Sequence, residues 1–373
     1  MSRHAGLRTS LCTSHRRVAD YRIHMGDDSP FGVVKLRLGD DRQDDEPAIR
    51  VVDGPVGPVW IVGDDVLARQ VVAHPGVSKD PAFAPDGWPR WVLGLEPTSA
   101  EQPSLTSLDG DVHRELRRAH APLFTAKVLR ASRGRIEEIA YDLLSKRPTD
   151  LMADFTTRYP LTVICDKLGV PLDHIDQILG TCRKMITGDT AQLVAAMNEF
   201  HRLVGNASAT EFRQRVRLTE AETNYVIGSL VFGGQTTTDG ALGFVIAHLL
   251  AGHQTGSDAE FVTDVLRRHP PFPYTLWRFT SAEVSLGGQT LPPRSPLLIH
   301  IEGINARGGD LTFGAGPHFC VGAQLAQLEL ESAVAVLKRD FPNARLTVPF
   351  EELPLLRLGR QARRLGSLPV DLG

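Results

Sequence analysis

The chain has 373 residues, 42% of them hydrophobic, and a formal net charge of −3. It is long enough to bury a sizeable core and too near neutral for a general attraction to nucleic acid or an anionic membrane. Four scattered cysteines without a CxxC pair argue against a disulfide framework or a cysteine-rich zinc site; with no bilayer-length apolar run and no apolar leader, the sequence reads as a cytoplasmic protein, taken as a monomer.

Residues 1–48 are polar and rich in Arg and Asp, and are expected to be poorly ordered ahead of a single folded domain over 49–373. Next come two short strands, Ile49–Val52 and Val59–Val62, turned by Gly54, Pro55 and Gly57 and running into a helix. Residues 81–108, with their prolines, Trp88 and Trp91, read as a long loop. From about 109 to 255 the apolar spacing is helical throughout. The longest helix starts at Thr219, whose "TEAE" makes it an N-cap with Glu222 as capping-box partner, and stops near Gly252. Apolar residues on nearly every side place it in the middle of the protein. Its centre nevertheless reads "GGQTTTD" (233–239), although an interior glycine costs about 1 kcal/mol relative to alanine and threonines bond back to the preceding turn. A helix at about 258–269, a Pro-rich turn at 270–273, short strands to about 300, the segment 311–333 and a β-like tail at 344–370 complete a mainly helical protein with minor sheet.

The segment "LTFGAGPHFCVGAQLAQLELESA" (311–333) turns a tight loop into a helix just past Cys320. Gly314 and Gly316 permit turn conformations closed to other residues, Pro317 stiffens the loop, and Gly322 leaves space beside the thiol. Free N–H groups and the dipole of a helix N-terminus stabilise a thiolate, and a thiolate on such a loop is a good axial ligand for haem iron.

"FGAGPHFCVG" (313–322) resembles the haem-binding signature of the cytochrome P-450 family, met here by Phe313, Gly316, His318, Cys320 and Gly322. The resemblance extends from about residue 50 to the end. "LDGDVHRELRR" (108–118) is similar to the family's H-x-x-x-R helix, and implies that His113 and Arg117 bind a haem propionate; Arg278 in "WRFT" matches the arginine that meets the other propionate, joined by His318. "GGQTTTD" is similar to the oxygen-binding kink, through Gly233, Gly234 and Thr237, and implies a helix opened at its centre for dioxygen. Asp264 and Arg267 stand where the family has E-x-x-R.

The resemblance implies haem b (iron protoporphyrin IX) ligated by Cys320. It also implies O2 as co-substrate and electrons from NAD(P)H delivered through ferredoxin reductase and ferredoxin, with Arg114 and Arg118 offering a basic docking face. The reaction it implies is oxidation (hydroxylation, or coupling or cyclisation) of a small hydrophobic or aromatic substrate, in the manner of secondary metabolism. Trp88, Trp91, Leu93, Leu230, Phe232, Tyr274, Thr275 and Leu276 fall on the expected pocket walls. Three departures stand out: Asp264 replaces a glutamate, Thr236 replaces the acid beside Thr237, and only "ARGGD" (306–310) stands where the family has a long Pro/Asp/Phe-containing meander before the cysteine loop. They leave two further readings: an atypical member that uses peroxide or couples its substrate without oxygen insertion, and a haem-binding pseudoenzyme.

Overall fold

The computed structural model describes residues 33–38, 47–54, 56–88, 104–187, 190–205, 207–208, 210–215, 217–358 and 362–373. Its first strand, β1 (Val33–Arg37), falls inside the segment expected to lack order. The order comes from backbone pairing with the far end of the chain, for which a polar N-terminus carries no local signal.

The predicted hairpin is present as β2 (Ile49–Gly54) and β3 (Gly57–Val62), in register from Ile49↔Val62 to Gly54↔Gly57. Helix α1 (Asp65–Ala73) follows, capped by Asp64, whose side chain accepts from the Leu67 N–H. β4 (Val77–Ser78) then leads into the loop that carries Trp88; Trp91 and Leu93 lie outside the described residues.

The helical half begins with α2 (Gly110–His120) and α3 (Ala126–Leu144), and continues with α4 (Leu151–Asp154), α5 (Arg158–Leu168), α6 (Ile175–Thr187), α7 (Thr190–Val204) and α8 (Thr210–Arg215). Helix α9 (Glu220–Leu250) is the central element, and its predicted capping box is intact: the Glu222 N–H donates to Thr219 Oγ1 at 3.3 Å, and the Thr219 N–H donates to Glu222 Oε2 at 2.8 Å. Leu242, Phe244, Val245, Ile246 and Ala247 are fully buried around its circumference, so this stretch touches protein on every side. At roughly 1.5–3 kcal/mol for each large apolar side chain buried, this stretch supplies about as much as the whole net stability of an ordinary domain before entropy is charged against it. Gly243 permits close packing there: a Cβ at that position would lie 2.6 Å from Met152 Sδ of α4.

A second capping box, Ser257 with Glu260, opens α10 (Asp258–Arg268). Strand β5 (Arg278–Thr280) precedes the hairpin of β6 (Val284–Leu286) and β7 (Gln289–Leu291), turned by Gly287 and Gly288, both at positive φ. β8 (Pro296–Ile299) pairs in parallel with β3 (Trp60↔Leu297) and antiparallel with β5, giving a five-stranded sheet ordered β2-β3-β8-β5-β4. α11 (Ile301–Ala306) and α12 (Ala323–Asp340) flank the cysteine loop. The tail holds β9 (Arg345–Leu346), β10 (Pro354–Leu358), β11 (Arg363–Leu365) and β12 (Val370–Asp371). β10 is the partner of β1, in register from Val33↔Leu358 to Arg37↔Pro354. No helix among the described residues is long and apolar enough to cross a membrane.

Candidate active site

The cysteine loop is built as its glycines require. Gly314 and Gly316 have φ of 73° and 66°, a region that other residues avoid, and residues Gly316–His318 form a single 3-10 turn. The Cys320 N–H donates to Phe313 O at 2.9 Å, which closes the loop, and α12 starts at Ala323. Three free cysteines are described. Cys165 and Cys182 are buried, and burial pushes their thiols up to about 12, so they are inert packing residues. Cys320 alone is exposed. The protein around its sulfur also raises it, but the N–H groups of Gly322 and Ala323 and the charge of Arg117 oppose that rise.

Basic groups gather beside this loop. The His113 and His318 rings lie 4.2 Å apart. Arg278 is 6% exposed, and burial lowers its guanidinium to about 10. Burial, with the charges of His318 and Arg117, depresses His113 to about 4. Asp109, the N-cap residue of α2, sits among them. Its carboxylate accepts from Ser78 Oγ at 2.6 Å, from the Lys79 N–H at 2.7 Å, and lies 2.9 Å from His318 Nε2. Burial alone would raise the Asp109 carboxyl; these hydrogen bonds outweigh it and hold it well below the usual carboxylate range. His318 Nδ1 lies 3.1 Å from Leu105 O. Both of its ring nitrogens are therefore engaged by the protein.

Two buried polar atoms here have no hydrogen-bond partner among the described residues, His113 Nε2 and Arg278 Nη1. A buried guanidinium nitrogen without an acceptor is costly unless an anion meets it. Two orphaned nitrogens near the loop of an exposed, amide-supported thiol fit a group that carries both a metal and carboxylates, as haem b does.

The motif expected to face the site lies on α9. Gly233 is exposed, and a Cβ on it would meet nothing within 4 Å, so it faces open space; Gly234 instead packs toward Ile164 of α5. Thr237 Oγ1 donates to Gly233 O at 2.8 Å and Thr236 Oγ1 to Phe232 O at 2.9 Å. The helix is continuous from Glu220 to Leu250, so the opened centre expected at "GGQTTTD" is absent; the threonines bond back without breaking the helix. Leu230 and Phe232 are half-buried, with Phe232 edge-on to Phe200. Asp239, the acid nearest in sequence, is buried against the turn between α4 and α5 and against β11: Thr156 Oγ1 donates to it at 2.7 Å and Arg364 pairs with it at 3.3 Å.

Of the expected pocket walls, Trp88 is 7% exposed and packs edge-on against Trp277 at 4.7 Å, as part of the sheet's own core. Tyr274 stacks on His300 at 4.5 Å and its hydroxyl accepts from Arg50, while Thr275 Oγ1 accepts from the Ile299 N–H. Leu276 is half-buried. Asp264 and Arg267 meet at 3.4 Å with side chains 46% and 39% exposed, and Asp264 also pairs with Arg268 at 2.7 Å. This pair is thus half-exposed at the surface.

No model of a protein family matches the chain. Among curated proteins it is 37% identical over 386 residues to the cytochrome P-450 monooxygenase DoxA of Streptomyces peucetius subsp. caesius, covering 87% of this chain and 92% of that one. The chain belongs to the cytochrome P-450 family. It is also 27% identical over 373 residues to the vitamin D(3) 25-hydroxylase of Pseudonocardia autotrophica, covering 88% and 91%. Among solved structures it resembles CYP154A1 of Streptomyces coelicolor A3(2), with a TM-score of 0.74 and 26% identity over 87% of this chain and 94% of that one. This P-450 is an oxidoreductase of actinobacterial type. The DoxA alignment, at 386 positions, is longer than the whole chain of 373 residues, so DoxA holds segments that have no counterpart here.

Proposed function

We propose that this P-450 is a haem-thiolate monooxygenase. The observation that carries the reading is the coincidence of the exposed Cys320 thiol, supported by two amides at a helix start, with the orphaned His113 Nε2 and Arg278 Nη1 gathered at His318 of the same loop. Cys320 Sγ is the ligand for iron, and His113 and Arg278 are the partners for the propionates. When bound, haem b supplies the oxidising chemistry, using O2 and two electrons. The chain's own residues do the rest. Gly233 leaves space above the site, and Thr237, back-bonded to Gly233 O, retains lone pairs with which to hold a water as a proton source.

Electrons enter from NAD(P)H through ferredoxin reductase and an acidic ferredoxin. Arg114 and Arg118 on α2 are both exposed, and Arg114 is already paired with Asp111, which makes Arg118 the more available cation for docking. The substrate is a small hydrophobic or aromatic molecule of secondary metabolism; the monooxygenase name of DoxA supports oxidation, and the vitamin D(3) 25-hydroxylase name supports hydroxylation of a small molecule. The protein is cytoplasmic and monomeric in this reading.

The test is a difference spectrum. Protein purified with haem precursor is reduced with dithionite and exposed to carbon monoxide. The expected result is a Soret band at the red-shifted thiolate-haem position, lost in Cys320→Ala. A band at the imidazole-haem position, or no haem, sinks the reading in favour of a pseudoenzyme. One observation favours a second reading. Thr236 replaces the acid, its hydroxyl is spent on Phe232 O, and Asp239 is buried elsewhere, so proton delivery is weakened. A member that turns over with peroxide but not with a ferredoxin system fits that arrangement.

A further inference from the structure

The missing span leaves a mechanical question: what fixes the root of the cysteine loop when only residues 307–310 separate it from α11? We propose that Asn305 is the positioning residue for the thiolate loop and does with one side chain what the absent segment would otherwise do; the inference rests on the haem-thiolate reading.

Asn305 is 1% exposed. Its Nδ2 donates to Arg267 O at 3.1 Å, in the last turn of α10, and to Thr312 Oγ1 at 3.0 Å. Its Oδ1 accepts from the Leu311 N–H at 2.8 Å. The amide is planar, so two donors and one acceptor at fixed angles set the positions of α10, Leu311 and Thr312 together. The backbone reinforces the same joint, because Asn305 O accepts from Gly308 N at 3.2 Å and from Arg267 Nη1 at 3.4 Å.

The chain is shaped to reach this amide. Gly308 sits at φ 92°, and a Cβ on Gly309 would lie 2.5 Å from Ile304 Cγ2, so two glycines are needed to fold Leu311 back onto α11. From there a short ladder runs to the ligand. Leu311 O accepts from Gly314 N at 2.8 Å, and Phe313 O accepts from Cys320 N at 2.9 Å. Leu311 itself is 3% exposed and anchors the ladder in the core beneath the sheet. The half-exposed Asp264–Arg267 pair cannot do this work, since a solvated ion pair contributes little rigidity. Asparagine is specified over aspartate, because a carboxylate offers no donor to Arg267 O.

The experiment compares wild type, Asn305→Ala, Asn305→Asp and Thr312→Val, each loaded with haem. It measures the ratio of thiolate-type to thiol-type Soret bands in the reduced carbon monoxide complex, and the rate of haem transfer to apomyoglobin. Far-UV circular dichroism on the same samples fixes the folded fraction. Leaving a buried N–H and carbonyl unpaired predicts that Asn305→Ala lowers the band ratio roughly tenfold or more at equal folded fraction, with faster haem loss. Asn305→Asp, which keeps the acceptor for Leu311 N, falls between it and wild type, and Thr312→Val, which loses one bond, shifts the ratio about two- to fivefold. Wild-type ratios and transfer rates in Asn305→Ala overturn the proposal while the haem-thiolate reading stands. If Asn305→Ala does not fold, wild-type behaviour in both remaining variants overturns it equally. A wild type without a thiolate band removes the underlying reading and the proposal with it.

Discussion

Two regions of the molecule, the central helix and the cysteine loop, are held by different physics. The face formed by α9 rests on burial: a capped, continuous helix with apolar side chains on every side and Gly243 packed against Met152. The face that carries Cys320 rests on a few directional polar contacts, those of Asn305, Asp109 and the amides after the cysteine, with charged groups left near the surface. A face held by burial tolerates loss of any one hydrogen bond and suffers from loss of volume. A face held by hydrogen bonds behaves the other way round.

Four experiments separate the two. The largest effect is spectral and local: Cys320→Ala abolishes the thiolate-type band, yet the thermal midpoint of the haem-free protein stays near wild type, because the removed thiol is exposed. A parallel loss of stability would show that the loop is part of the core. Next, Phe244→Ala empties a fully buried site in α9 and lowers stability in urea by about 3–5 kcal/mol. A loss below about 1 kcal/mol would mean that burial does not hold this face.

The third concerns acid. His120 at the end of α2 is fully buried with Nδ1 2.6 Å from Leu116 O, and burial depresses it to about 4. An unfolded histidine titrates near 6.5, so between these values the unfolded chain takes up a proton that the folded one refuses. Stability is complete above about pH 6.5 and falls as the pH drops toward 4, by roughly 2–3 kcal/mol from this group. His120→Gln flattens that limb of a urea-midpoint against pH series; an unchanged slope refutes the assignment. The smallest effect is Asp264→Ala, expected to cost less than about 1 kcal/mol because its ion pairs are solvated. A larger loss would show that the pair still braces the loop despite its exposure.

The same division explains what could be read from the residues alone. The capping box at Thr219, the glycine loop around Cys320 and the helical spacing of His113 and Arg117 are local patterns, and all are present in the fold. Contacts between distant segments leave no local mark. Asp109 meets His318 across 209 positions, and Arg267 meets Asn305 across 38. Asp109 was visible only as an acid ahead of a helix, a common capping position whose reach could not be inferred. Trp88 and Tyr274 show the same ambiguity in another form. Aromatic residues in a loop suit a pocket wall and a core equally, and here they pack into the sheet.

The parallel pairing of β3 with β8 has a consequence for how the protein is made. Trp60 is registered against Leu297, and β1 against β10 closes only when Pro354–Leu358 exist. Such long-range pairings are slow to form, since their loop-closure entropy must be spent before any contact rewards it. During synthesis the helices from α2 to α9 can assemble on local contacts while the sheet and the cysteine loop still await the last quarter of the chain. The haem cradle is thus among the last parts to form, and a nascent or truncated chain would present a helical bundle with nowhere to hold the cofactor.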